Sequence, residues 1–280
     1  LYLDAVASLS VTAAVTTGGS PVVINTGANA FSNTAAGTIN AGASTVSVTS
    51  NTIALAGTVT GNGGITLLPG AAGTTIGLND AGGTFNLTTA ELVLLASTGT
   101  VTIGRTDGTG AIAIGSLGAI DLSAENYNLT IRGASSNVSF VFPAMLNTLT
   151  LPNNAVLLFE LGTGTVTTNG TAVSDITIGG TGLLRFVSTG AVGAAGTPVS
   201  ANVANLGQST VAGAFYFLNN NNLIVAGTLT SVGADIDTGT NSLTVSNSIN
   251  AGTGNLVLTA DTPVSYTHLR AHETVLDLVC

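Results

Sequence analysis

The sequence predicts an all-β protein, a right-handed parallel β-helix (β-solenoid) of about 20 residues per coil. Three observations predict it: short apolar–polar–apolar triplets, turn-forming residues between them, and recurrence of the triplets at a long, nearly constant spacing.

The triplets run through the chain. Examples are Val46-Ser47-Val48, Ile53-Ala54-Leu55, Ile65-Thr66-Leu67, Phe85-Asn86-Leu87, Val101-Thr102-Ile103, Ile112-Ala113-Ile114, Ile120-Asp121-Leu122, Leu129-Thr130-Ile131, Leu149-Thr150-Leu151, Ile176-Thr177-Ile178, Leu243-Thr244-Val245 and Leu256-Val257-Leu258. Period-2 alternation places the outer two side chains on one side of a strand. The β-branched residues that dominate these positions suit a pleated surface. Between them stand Gly61-Asn62-Gly63-Gly64, Asp80-Ala81-Gly82-Gly83, Asp107-Gly108-Thr109-Gly110 and the run Asn219-Asn220-Asn221-Asn222. Glycine supplies positive φ in such turns, and Asn and Asp tolerate it.

The long spacing gives the coil. Val46 to Ile65, Ile65 to Phe85, Val101 to Ile120, Leu129 to Leu149 and Leu223 to Leu243 are each steps of about 20 residues, a solenoid period. One such coil buries too little apolar surface to offset the entropy of ordering it, so coils must stack. About 13 coils would fit, in a rod of about 60 Å at the inter-strand spacing of a sheet. Helical periodicity is absent. Residues 88–96 form the best short helix candidate, and a strand at 92–95 is favoured over it. Residues 138–161 are the least regular, because Pro143 and Pro152 interrupt strands; Phe140, Phe142, Leu146 and Phe159 are expected in the interior. Residues 189–208 are expected to form a looped coil.

Two segments differ in origin. Residues 1–263 read as one β-helix region, a piece of a longer protein open at both ends. Residues 264–280 carry both histidines (His268, His272), the sole cysteine (Cys280) and one of the four arginines, Arg270. This tail resembles a translated sequencing adapter: the transposase adapter gives residues 264–273, a short index 274–277, and the flow-cell sequence Leu278, Val279 and Cys280. A non-biological tail is set aside in reasoning about fold. With it go a His-Xaa3-His metal reading of His268 and His272 with Glu273, and a reactive thiol at Cys280.

Setting aside Arg270, Glu273 and Asp277 leaves three arginines (Arg105, Arg132, Arg185), no lysine and eleven carboxylates, a net charge of −8. Phosphate backbones need clustered cations, so nucleic acid is not an expected partner. There is no basic anchor for an anionic membrane. Mean hydropathy is high, at +0.56, yet no apolar run reaches the roughly 18 residues that span a bilayer. An outer-membrane barrel needs alternating strands of about 9–11 residues, longer than these triplets. No signal peptide is visible.

Gly110-Ala111-Ile112-Ala113-Ile114-Gly115, Leu117-Gly118-Ala119-Ile120-Asp121-Leu122-Ser123-Ala124 and Gly254-Asn255-Leu256-Val257-Leu258-Thr259-Ala260 resemble the repeats of filamentous-haemagglutinin-like and autotransporter-type adhesins. There, Gly-Xaa-Leu-Xaa-Leu-Xaa-Ala units alternate with Gly-rich turns. The resemblance extends over most of residues 40–260. It implies a right-handed β-helix, secretion across the bacterial outer membrane, and the role of an adhesin shaft.

Chemistry-bearing motifs are few. Asp237-Thr238-Gly239 matches the surroundings of an aspartic-protease carboxylate, but that chemistry needs two carboxylates sharing a proton, and no second Asp-Thr-Gly or Asp-Ser-Gly occurs. Asp235 and Asp237 alternate on one strand face as a candidate Ca²⁺ or glycosidase-like pair, with two solvated turn aspartates the preferred reading. Arg105 and Asp107 form the best enzyme candidate, with a charged turn preferred. Thr66, Thr102, Thr130, Thr150, Thr177 and Thr244 face outward as solubilising residues or as a repetitive ligand-binding ladder.

The expectation is therefore a structural or adhesive shaft at the outer cell surface or outside the cell, without catalytic residues, metal or cofactor. Surface glycans or proteins would engage regions beyond this segment. The alternative is a polysaccharide-acting β-helix lyase or glycosidase, which requires carboxylates clustered in space.

Overall fold

The structure, a computed structural model, describes residues 1–188 and 190–261, and beyond these only the backbone of Ser265–Tyr266, Leu269–Arg270 and Asp277–Val279. The expected tail lies otherwise outside the described residues, as do Thr189, His268, His272, Glu273 and Cys280.

Ten of the twelve triplets named above lie wholly on strands, the other two running one residue past theirs at Leu55 and Leu122, and every paired strand runs parallel to its neighbours. The chain winds as a parallel β-helix with three faces. The first face runs the length of the molecule and includes Val22–Asn25, Thr45–Ser50, Gly64–Pro69, Thr100–Gly104, Asn128–Arg132, Val156–Gly162, Leu183–Ser188, Asn205–Leu206, Leu223–Val225 and Leu243–Val245 in sequence order. Its register stacks Val22, Val46, Ile65, Val101, Leu129, Leu157, Leu184, Leu206, Val225 and Val245 in one interior column. Every member is buried. The second face includes Ile112–Ile114, Val138–Phe140 and Val166–Thr168. The third includes Ile120–Asp121, Leu149–Leu151, Ile176–Ile178, Val199–Asn202, Phe215–Asn219, Ala234–Asp237 and Leu256–Thr259. Period-2 alternation sends one set of side chains into the shared core and the other to solvent.

The coils are unequal. Towards the ends, Val46 pairs with Ile65 and Val225 with Val245, the short step that the sequence suggests. In the middle the steps are longer: Ile65 pairs with Val101, Val101 with Leu129, Leu129 with Leu157 and Leu157 with Leu184. The waist of the prism is thus wider than its ends. A longer perimeter encloses more cross-section, which must be filled to the density of a protein interior. Phe85, Phe140, Phe142 and Phe159 fill it. All eight phenylalanines are fully buried, Phe31 near one end and Phe215 and Phe217 in the narrower coils that follow, and six form a connected chain. Phe140 meets Phe142 and Phe159, Phe159 stacks on Phe186 at 5.4 Å, and Phe186 meets Phe215 and Phe217 edge-on at 5.7 and 6.4 Å.

Leu146 departs from expectation. It is 88% exposed, whereas Phe140, Phe142 and Phe159 are interior. It sits in the turn closed by the Asn147 amide on the Ala144 carbonyl, and Phe142 and Leu149 already occupy the core on either side of that turn. Of residues 189–208, Val199–Asn202 and Asn205–Leu206 join the regular path, as does buried Val192, which bridges Val166 and Phe215 in parallel, while residues 194–197 loop out, closed by an antiparallel bridge between Ala194 and Thr197.

The longest coil, from Ile65 to Val101, holds two further surprises. Phe85–Leu87 lies between Thr52–Ala54 and Ile76–Leu78, so this coil gives the second face two parallel strands. A one-turn helix then forms at Thr89–Leu92, ahead of a strand at Leu95–Ala96. The helix candidate at 88–96, ranked below a strand at 92–95 from the sequence, is thus the element that forms, and of the favoured strand only Leu95 lies in a strand. Thr88-Xaa-Xaa-Glu91 is a capping box: the Glu91 amide donates to Thr88 Oγ1 and the Thr88 amide to Glu91 Oε2. Glu91 Oε1 also accepts from the Leu55 amide at 2.8 Å, tying the helix to an earlier coil. Glu91→Ala is expected to cost about 1–2 kcal/mol, read as a shift in the urea midpoint. A shift indistinguishable from that of Glu125→Ala would refute this role for the box.

Candidate functional site

The sequence candidates fall in three places. Asp237-Thr238-Gly239 forms a corner. The Gly239 amide donates to Asp237 Oδ1 at 2.7 Å, and buried Thr238 donates its hydroxyl to the carbonyls of Asn241 and Thr259. Asn241 Nδ2 donates back to the Thr238 carbonyl. Asn25-Thr26-Gly27 repeats the corner near the other end: the Gly27 amide bonds Asn25 Oδ1, Thr26 Oγ1 donates to the Asn29 and Thr49 carbonyls, and Asn29 Nδ2 returns to the Thr26 carbonyl. Gly27 and Gly239 have φ of 54° and 55°, the left-handed region where a Cβ is costly. The shared pattern is Asn/Asp-Thr-Gly-Xaa-Asn, a way of turning between faces, and the carboxylate in one copy stands where an amide stands in the other.

Asp235 and Asp237 occupy Ala234–Asp237, a strand where a turn was preferred. They are half-buried on its outward side, in register with Tyr216 and Leu218 of the preceding coil. Burial, and then the neighbouring Asp237, push the Asp235 carboxyl above its usual range. Small depressions lie along this patch, one lined by Tyr216, Asp235 and Val257 and another by Pro198, Tyr216 and Asp237.

Arg105 and Asp107 belong to a larger assembly. The Arg105 guanidinium forks onto Asp107, Nε to Oδ1 at 2.8 Å and Nη2 to Oδ2 at 2.9 Å, while Nη1 donates to the Pro69 carbonyl of the previous coil. This bidentate contact holds the Asp107 carboxyl below its usual range and raises Arg105 further. At the end of the first-face strands, Gly104, Arg132, Glu160 and Val187 stack in register, with Thr210 beyond. Arg132 Nε donates to Glu160 Oε2 at 2.7 Å. Arg185 sits one coil beyond Glu160, on the outward side of the next strand, with Nε on the Gln208 carbonyl at 3.2 Å. Beside the column lies a groove of about 380 Å³, lined by Thr106, Arg132, Glu160, Gly162, Val187 and Thr210 among others. Reading the sequence singled out Arg105 and Asp107 and missed Arg132, Glu160 and Arg185. Their signal is the longer step of the middle coils along the first face, which a search at the shorter period passes over.

The threonine ladder is short. Thr66, Thr102 and Thr130 do stack, but the column continues into Leu158 and Arg185, and Thr102 and Thr130 are buried by their neighbours. Thr150 and Thr177 stack on the third face, and Thr244 pairs with Ile224.

Carboxylates elsewhere stand apart. Asp121 accepts from the Ser123 amide and is held below its usual range by Ser123. Asp175 is wholly buried between coils. Among the described residues no three His, Cys, Asp or Glu side chains come together as a metal site, and no helix is long and apolar enough to cross a membrane. Compared with protein-family models, curated proteins and solved structures, the chain matches none.

Proposed function

We propose that this chain is a segment of the shaft of a large secreted or cell-surface bacterial exoprotein, of the filamentous-haemagglutinin-like type, acting through length and rigidity. The observation that carries this reading is the unbroken interior column from Val22 to Val245. Each coil contacts mainly its neighbours, so stability accumulates along the rod and length can be added without a new core. The ten strands of that column span about 45 Å at the spacing of paired strands. A polysaccharide-cleaving enzyme would need carboxylates converging on a substrate. Here Asp107 and Glu160 are each engaged by an arginine, Asp235 and Asp237 stand side by side on the outward side of a single strand, and the other acids are dispersed over several coils.

The test is surface exposure. An antibody raised against the folded chain should label intact cells of the source bacterium or its culture fluid. Labelling only after the cells are permeabilised would overturn the reading.

A further inference from the structure

The groove on the first face has a property that a mere spacer does not require. Residues 1–261 contain three basic side chains and no lysine. All three lie along this face of the wide middle coils: Arg105 just after the strand Thr100–Gly104, Arg132 at the end of the next, and Arg185 two coils further on. The chain is strongly acidic elsewhere, so one basic stripe is the exception on its surface. Only two carboxylates accompany it, Asp107 and Glu160.

The guanidinium groups are unequally engaged. Arg105 uses Nε, Nη1 and Nη2 in contacts within the protein. Arg132 and Arg185 each use Nε alone. Their Nη groups are available as planar forks for an oxyanion, the geometry in which arginine binds acid groups most strongly. Arg185 stands outside the lining, in the neighbouring outward column with Thr130 and Leu158 and two residues before Val187 on the same strand. The two arginines are thus offset by two coil steps, about 9–10 Å along the rod axis, and by about 7 Å across it. Val187, more than a third exposed, and Gly162 give the groove beside Arg132 apolar surface without bulky side chains.

From this arrangement we infer that the groove binds an extended acidic polysaccharide crossing the coils obliquely, one acid group meeting Arg132 within the groove, another meeting Arg185 at its edge, and a sugar face resting on Val187 between them. The acid group is a carboxylate or a sulfate, both of which the forks accept. Glu160 competes for Arg132 and sets the affinity of the empty groove. The inference goes beyond the shaft reading and does not depend on it, because binding in solution is measured wherever the protein resides.

The test is titration of the full chain at low ionic strength with a linear polyuronate, dextran sulfate, neutral dextran and single-stranded DNA. One of the two acidic glycans should bind, and the tighter one names the acid group. Raising salt should weaken binding. Arg132→Gln and Arg185→Gln should each weaken it about tenfold or more, with an unchanged urea midpoint showing that the fold survives. Glu160→Gln should tighten binding, an effect opposite to that of simple structural damage. Arg270→Gln, in the C-terminal segment, should leave it unaltered. The inference is overturned if neither acidic glycan binds, if neutral dextran or DNA binds as well as they do, or if the Arg132 and Arg185 variants bind like the wild type.

Discussion

Phe186→Ala should be among the most damaging single substitutions in this chain, with an expected loss of about 3–5 kcal/mol. Phe186 is fully buried on the first face. It stacks on Phe159 with rings 9° from parallel and meets Phe215 and Phe217 edge-on. It therefore joins the aromatic residues of the wide middle coils to those of the narrower coils that follow. Truncation removes its transfer free energy and leaves a cavity that stacked coils cannot close, because each strand is held in register on both sides. Val187→Ala, next in sequence but outward-facing, should change stability by well under about 1 kcal/mol. Urea unfolding of both variants checks the contrast. Similar losses for the two would mean that the aromatic column does not support the waist. Because repeat rods can unfold in parts, the Phe186→Ala transition is also expected to broaden or split, the middle coils melting before the aliphatic ends.

The same unequal coils explain what was legible in the sequence. Alternation within a triplet is a local property, and it identified strands along the whole chain. The stacking of triplets is not local. All three faces use the same apolar–polar–apolar unit, so a given spacing can mean one full coil or a step to a different face. Val46 to Ile65 and Leu223 to Leu243 are true register partners. Ile65 to Phe85, Val101 to Ile120 and Leu129 to Leu149 have similar spacing but connect different faces: Ile65 pairs with Val101, Val101 with Leu129, and Leu129 with Leu157. The extra strand Phe85–Leu87 and the capped helix at Thr89–Leu92 lengthen one coil without disturbing the interior column. The candidate site followed suit. Arg105 and Asp107 are near neighbours in the chain and were visible as a pair. Arg132 and Glu160 are far apart in the chain and meet only because the coil between them brings them into register.

Asp175 gives the second large effect, through pH. Its carboxylate is wholly buried, yet accepts from Thr168 Oγ1 at 2.8 Å and from the amide and hydroxyl of Ser200 at 2.9 Å, while its own amide donates to the Ser200 carbonyl. Thr168 lies on the second face and Ser200 on the third-face strand of the next coil, so one side chain joins two faces and two coils. Asp175→Ala strands these donors in the interior and should cost about 3–5 kcal/mol, at about 1–3 kcal/mol for each unsatisfied group without strict additivity. Asp175→Asn keeps an acceptor toward Ser200 and offers an amide to Thr168, so it should fold like the wild type. The two differ in charge. Burial pushes the Asp175 carboxyl above its usual range, outweighing the hydrogen bonds from Ser200 and Thr168. A carboxyl with a raised folded-state pKa contributes stability that is fully present below the unfolded value, about 3.9, and is lost as pH rises through the folded value. The wild type should therefore lose stability relative to Asp175→Asn as pH rises from about 3.5 to 7. Subtracting the variant cancels the opposite slopes of Asp107 and Asp121, whose carboxyls are held low in the folded state. Urea midpoints of both proteins across that range decide the matter: a flat difference, or one that grows in favour of the wild type at neutral pH, would mean that the hydrogen bonds outweigh the cost of burying the charge.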